Sequence, residues 1–202
     1  MQINIDKKTG SLLAIIVVLV AVVFGMLMNR SDEDHMGMHD GHSMGQSSDS
    51  TKYTGADIMF LQMMIPHHQQ AVDISNLALK SSTDSELLAL ARTIIDAQTS
   101  EIAQMKSWLA DAGASEDPGH AMDGMGGMLD DSELSALAAA KGKQFDVLWL
   151  KGMIGHHDGA IHMTQMIKDA SNTDIKSFGE NVVKDQSAQI DQMNAMLKRL
   201  GN

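Results

Sequence analysis

One stretch of this chain occurs twice, and a chain that repeats itself must fold into a shape that accommodates two like halves. Met63-Met64-Ile65-Pro66-His67-His68 returns 89 residues later as Met153-Ile154-Gly155-His156-His157. The flanks agree as well: Phe60 answers to Trp149, Leu61 to Leu150, Ala71 to Ala160 and Val72 to Ile161. A second echo, at an offset of 88, sets Gln98, Ile102, Met105 and Leu109 against Gln186, Ile190, Met193 and Leu197. Two motifs in each half, in the same order, describe a duplicated helical hairpin.

The spacing within each motif is helical. Phe60, Met64, His67, Ala71, Ile74 and Ala78 follow a 4-3-4-3-4 rhythm, and Trp149, Met153, His156, Ala160, Met163 and Ile167 follow the same one. Such a rhythm draws one stripe along a helix. The first helix is expected from about Asp57 to Lys80. The second, capped within Thr83-Asp84-Ser85-Glu86, runs to about Ala112 and closes at Gly113. The third starts at Asp131 or Ser132 and reaches about Ala170, with or without a break. The last is capped by Asn172-Thr173-Asp174 and ends before Gly201. The second and fourth carry Gln98 and Gln186 in otherwise apolar stripes. A buried amide needs partners, so each glutamine either supports a ligating histidine or lies at the stripe's edge. Four amphipathic helices with short connections inside each half make an all-α four-helix bundle.

Around this unit, residues 57–202, the composition changes twice. Residues 1–30 carry Lys7 and Lys8 ahead of an uncharged run from Ser11 to Met28. Eighteen helical residues span about 27 Å, enough for a bilayer core. The flanking charges put the N-terminus inside and the rest outside. An uncleaved transmembrane anchor fits better than a cleaved signal, because no small-x-small site follows. Residues 31–56 are rich in Ser, Asp and Gly and read as a disordered tether. The tether contains His35, Met36, Met38, His39, His42 and Met44, and the Gly-rich joint at 113–130 contains His120, Met122, Met125 and Met128. Thioethers and imidazoles in segments with nothing to bury them are suited to a soft ion such as Cu(I) or Ag(I).

The wider composition narrows the choice. There are no cysteines, so neither disulfides nor thiolate ligands enter, but there are 18 methionines and 9 histidines. The formal charge of −11 argues against nucleic acid as a partner. Within the bundle, His67 and His156 stand on the core face. His68 and His157 stand on flanks, since adjacent helical residues diverge by about 100°. Met63, Met64 and Met153 lie about one turn earlier on the same side. Pro66 removes one helical hydrogen bond, and Gly152 and Gly155 weaken the matching turn of the other half. His162 is four residues after Asp158 and four before Met166 and either pairs with one of them or faces solvent.

The motifs Met64-Ile-Pro-His-His-Gln-Gln-Ala-Val72 and Met153-Ile-Gly-His-His-Asp-Gly-Ala-Ile161 resemble those of the bacterial family called domain of unknown function 305. The resemblance runs from about Asp57 to Gly201. It implies a ferritin-like four-helix bundle, often secreted, with copper-binding members. It also implies ligand roles for His67, His68, His156, His157, Met64 and Met153. The tether and the Met-Gly joint resemble segments of periplasmic copper and silver resistance proteins. The expected function is therefore an extracytoplasmic copper buffer or chaperone, held at the membrane, with an exporter or cuproprotein as its delivery partner. Two rivals stand beside it. One is a structural or adaptor bundle with hydrogen-bonded core histidines. The other is a ferritin-like oxidase, disfavoured because no Glu-x-x-His occurs and no nucleophile and base pair stands out. Copper binding through ordinary imidazoles should weaken below about pH 6, while thioether-only sites in the loops should persist.

Overall fold

The computed structural model describes residues 52–117 and 126–201. The candidate membrane anchor, the tether ligands from His35 to Met44, and His120, Met122 and Met125 lie outside these residues. Among the described residues there are five α-helices and one 3-10 turn, and no strand. They follow the order α1 (Gly55–Ser81), α2 (Ser85–Asp111), α3 (Asp131–Ala139), α4 (Gly142–Met163), the turn Thr164–Met166 and α5 (Thr173–Arg199). No helix among them is long and apolar enough to cross a membrane.

Local chemistry sets the helix ends. Thr54 and Asp57 form a reciprocal capping box at the start of α1, and Asp130 and Glu133 do the same for α3. The carboxylate of Asp84 accepts from the first amides of α2, and the side chain of Asn172 accepts from those of α5. Gly113 and Gly201, at φ of 65° and 76°, close α2 and α5 in the left-handed conformation that favours glycine. The bundle begins ahead of Asp57. Tyr53, from the stretch assigned to the tether, is buried, and its hydroxyl donates to Asp111 at 2.9 Å.

The expected third helix is divided. Ala140 and Lys141 adopt extended backbone, and Gly142 takes a φ of 53° before α4 starts. This joint lets α3 fold against α4, with Leu137 and Ala140 buried in the core. At its other end α4 tightens into the 3-10 turn rather than running to Ala170. Helices α1 and α2 pack as one hairpin and α4 and α5 as a second, and α1 lies against α4. The last pair is antiparallel. His67 meets His156, and seven residues further along α1 the carbonyl of Ile74 accepts from the indole of Trp149, seven residues earlier on α4.

The core has two apolar clusters. One gathers Ile74, Leu87, Ile94, Phe145, Trp149, Met153 and Met193. The other gathers Phe60, Met64, Ile102, Met105, Met163, Phe178 and Val182. His67, His68, Gln98, His156, His157 and Gln186 are buried too. By register they fall where one cluster gives way to the other: Gln98 stands between Ile94 and Ile102, and His67 between Met64 and Ile74. The bundle thus carries a polar layer at mid-height.

The end of the Met-Gly joint docks over this layer. Gln70 uses its amide on both backbone groups of Leu129, donating to the carbonyl at 2.9 Å and accepting from the amide at 2.8 Å. Gly127 holds a φ of 87°, and a Cβ on Gly159 would stand 1.9 Å from the Gly126 carbonyl oxygen. The glycines of α4 are thus a landing surface for a backbone strand. The sequence suggested that Gly152 and Gly155 weaken a turn of the helix; here it is Gly159 that the close approach requires, while a Cβ on Gly155 would enter open space. Gly159→Ala should therefore lose at least about 1–3 kcal/mol of stability through overpacking. Gly155→Ala should be neutral or gain up to about 1 kcal/mol from helix propensity. Denaturant unfolding of the two variants measures the contrast.

Candidate metal centre

The four motif histidines meet where α1 faces α4. The rings of His67 and His156 lie 3.8 Å apart between centroids, tilted by 39°. Each is 6.4 Å from the ring of its own neighbour, His68 or His157. The equal spacing in the two halves is the geometric counterpart of the sequence duplication. Pro66 is exposed on the outer side of α1, so its missing N–H leaves the inner face and its histidines in register.

All four side chains are shut away from solvent, with His67, His68, His156 and His157 each 0% exposed. His68 and His157 therefore do not remain on open flanks. The second helix of each hairpin closes over them. The ring of His68 donates from Nε2 to Glu101 Oε2 at 2.8 Å, and that of His157 donates from Nε2 to Gln189 Oε1 at 2.6 Å. Gln98 and Gln186 are buried, but the side-chain oxygen of each has no partner. The supporting contact comes from one turn further along, at Glu101 and Gln189. Those two residues were missed because they lie outside the apolar stripes. The available signal was their matching place, three residues beyond each repeated glutamine and 88 residues apart.

His67 reaches the docked joint, donating from Nε2 to the Gly126 carbonyl at 3.2 Å. His156 has no partner at either ring nitrogen, and the Nδ1 atoms of His67, His68 and His157 have none. An unpartnered buried polar atom costs about 1–3 kcal/mol, and five on the rings of one layer is a large penalty for a bare core. Among the described residues, no three imidazole or carboxylate groups stand as a ready cage for a metal ion. Thioethers flank the histidine pairs in sequence. Met64 and Met153, each one turn before a histidine pair, are fully buried, and Met63 is half-buried against the core. Nitrogen and thioether donors with outer hydrogen-bond supports suit a soft or borderline ion.

Other candidates lie elsewhere. His162 is exposed, and Met166, 36% exposed, stands in the 3-10 turn, so the structure does not bring this pair into the layer. A change of face explains it: His162 stands about 100° round the helix from Met163, off the buried stripe. Met128 is half-buried beside Leu129, where the joint docks.

Burial governs the charge of the layer. Desolvation, followed by the proximity of His68, lowers the pKa of His67 to about 3. Desolvation lowers that of His157 to about 4 and pushes His156 well below the ordinary range. These rings are neutral at pH 7 with lone pairs available. The pH 6 threshold expected of ordinary imidazoles accordingly moves down. The unfolded chain takes up protons near pH 6.5 while the folded one does not, so stability is full above that pH and falls as the pH drops towards 3–4. The slope should approach roughly 1.4 kcal/mol per pH unit for each such histidine. Urea unfolding of the metal-free protein at pH 7, 5.5 and 4.5 checks it.

Fold and centre together define an all-α bundle with a duplicated pair of histidines buried at mid-height. The chain belongs to the family described as Domain of unknown function (DUF305), whose model matches residues 57–197. Similar solved structures include a DUF305 protein from Streptomyces coelicolor described as secreted. It is 31% identical with a TM-score of 0.69, over 72% of this chain and 92% of that one. A DUF305 fragment from Deinococcus radiodurans is 29% identical with a TM-score of 0.67, over 72% and 97%. CopM in its Cu(I)-bound form is 34% identical with a TM-score of 0.61, over 73% and 97%. CopM also has Cu(II)-bound and Ag-bound structures. No curated protein matches the chain.

Proposed function

We propose that this protein binds copper, as Cu(I) and also as Cu(II), and the related Ag(I), outside the cytoplasm. In this reading it is a ferritin-like four-helix bundle acting as a metal buffer or chaperone in copper tolerance, and not an enzyme. The observation that carries the reading is the set of five unpartnered, buried imidazole nitrogens on the four motif histidines. A structural bundle would have reason to hydrogen-bond those nitrogens or replace the rings with apolar side chains. The Cu- and Ag-bound forms of CopM, at about one-third identity, support the choice of ion. The relative described as secreted supports the compartment.

His67, His68, His156 and His157, with Met64 and Met153, form the ordered site, and Met63 lies at its edge. The tether ligands His35, Met36, Met38, His39, His42 and Met44, with the joint ligands His120, Met122, Met125 and Met128, gather ions and pass them inward. Anchoring through residues 11–28 would hold this store beside an exporter or a cuproprotein. His162 and Met166 have no part in the site.

The full-length protein should hold Cu(I) against a chelator more tightly than it holds Zn(II), because thioethers favour the softer ion. Replacing the four histidines by Ala should weaken the tightest binding at least about 100-fold, the lower bound of losing several ligands where even one outer support is worth 10–100-fold. Circular dichroism of the same variant establishes that its helices remain. Unchanged tight binding in a folded variant would sink the reading.

A further inference from the structure

Three of the four imidazoles are held by the same atom. Nε2 of His67 faces the Gly126 carbonyl, Nε2 of His68 faces the Glu101 carboxylate, and Nε2 of His157 faces the Gln189 amide oxygen. These oxygens accept and do not donate, so each Nε2 carries the hydrogen, and in the neutral ring it is Nδ1 that keeps the lone pair. In all three rings that Nδ1 is buried with no partner. One pattern at three sites, drawn from three different acceptors, fixes which edge of each ring is open to a ligand.

The acceptors differ in one respect that the duplication makes legible. Glu101 and Gln189 are equivalent, 88 residues apart, yet one is a carboxylate and the other a neutral amide. The Glu101 side chain is 23% exposed, while that of His68 is fully buried. The negative charge is thus seated at the margin of the layer and directed inward through the ring.

We propose that His67, His68 and His157 each offer Nδ1 to a soft cation, and that Glu101 is a positioning residue that makes the half-site at His68 tighter than the one at His157. The proposal rests on the metal-binding reading and adds to it the donor atom and the inequality of the halves. A carboxylate behind a ligating imidazole locks its tautomer, raises its basicity and offsets part of the cation's charge; an amide supplies only the first of these.

The test uses the full-length protein with 15N-labelled histidine and silver nitrate as a diamagnetic probe. Long-range proton–nitrogen spectra of the metal-free protein should report the Nε2–H tautomer at His67, His68 and His157. Adding Ag(I) should shift Nδ1 of these rings, with His68 responding at lower silver concentration than His157. Glu101→Gln should bring the two halves level by weakening the His68 site about 10–100-fold, without loss of helix signal. Gln189→Glu should strengthen the His157 site. Nδ1–H tautomers, silver shifts at Nε2, or a Glu101→Gln protein with unchanged order of filling would each overturn the proposal while leaving metal binding intact. Silver that perturbs none of the four rings would overturn the metal-binding reading as well.

Discussion

A layer of polar side chains in the middle of an apolar bundle is the constraint on which the rest of this structure depends. Four imidazoles and two glutamine amides sit between two hydrophobic clusters. Each must be desolvated, and each keeps at least one buried polar atom without a partner. The surrounding architecture is what makes this tolerable. The antiparallel approach of α1 and α4 brings His67 and His156 to 3.8 Å. The second helix of each hairpin then supplies an acceptor for the outer ring. The apolar clusters on either side, anchored by Phe60, Trp149 and Phe145, keep the layer from relaxing into solvent.

The joint between the halves takes part in the same arrangement. Its final residues are pinned by Gln70, received against Gly159, and linked to the layer through His67. A segment that the sequence marks as a flexible, methionine-bearing connector therefore ends packed against the polar layer. The glycines of the second motif make this asymmetry possible: α1 has Gln70 where α4 has Gly159, so only α4 presents bare backbone to the incoming strand. The two halves thus repeat the histidine pair, while the connecting segment meets them differently, through His67 in one and Gly159 in the other.

Much of this was legible beforehand. Helix ends at Asp84, Asn172, Gly113 and Gly201 follow from capping chemistry within a few residues, whereas the cap at Thr54 fell in the stretch assigned to the tether. The stripes through His67 and His156 follow from helical period alone. The division of the third helix at Ala140–Gly142 was less legible, because no proline marks it and the break depends on α3 folding onto α4. The pairing of Gln98 with a histidine failed for a related reason. Periodicity tells which face a side chain occupies but not how far along the neighbouring helix the contact falls, and the two helices meet one turn further on, at Glu101.

The sequence by itself determined that two helices would each carry a histidine pair with a thioether one turn earlier, since those relations are set by 3.6 residues per turn and by local composition. Only the tertiary structure decided that His68 and His157 would be as buried as His67 and His156, and which nitrogen of each ring would be left open. Those outcomes depend on acceptors 32 to 59 residues away along the chain. Their position is set by how whole helices pack, not by the residues beside the histidines. The low pKa values of the layer have the same origin: desolvation belongs to the assembled bundle and to no single helix.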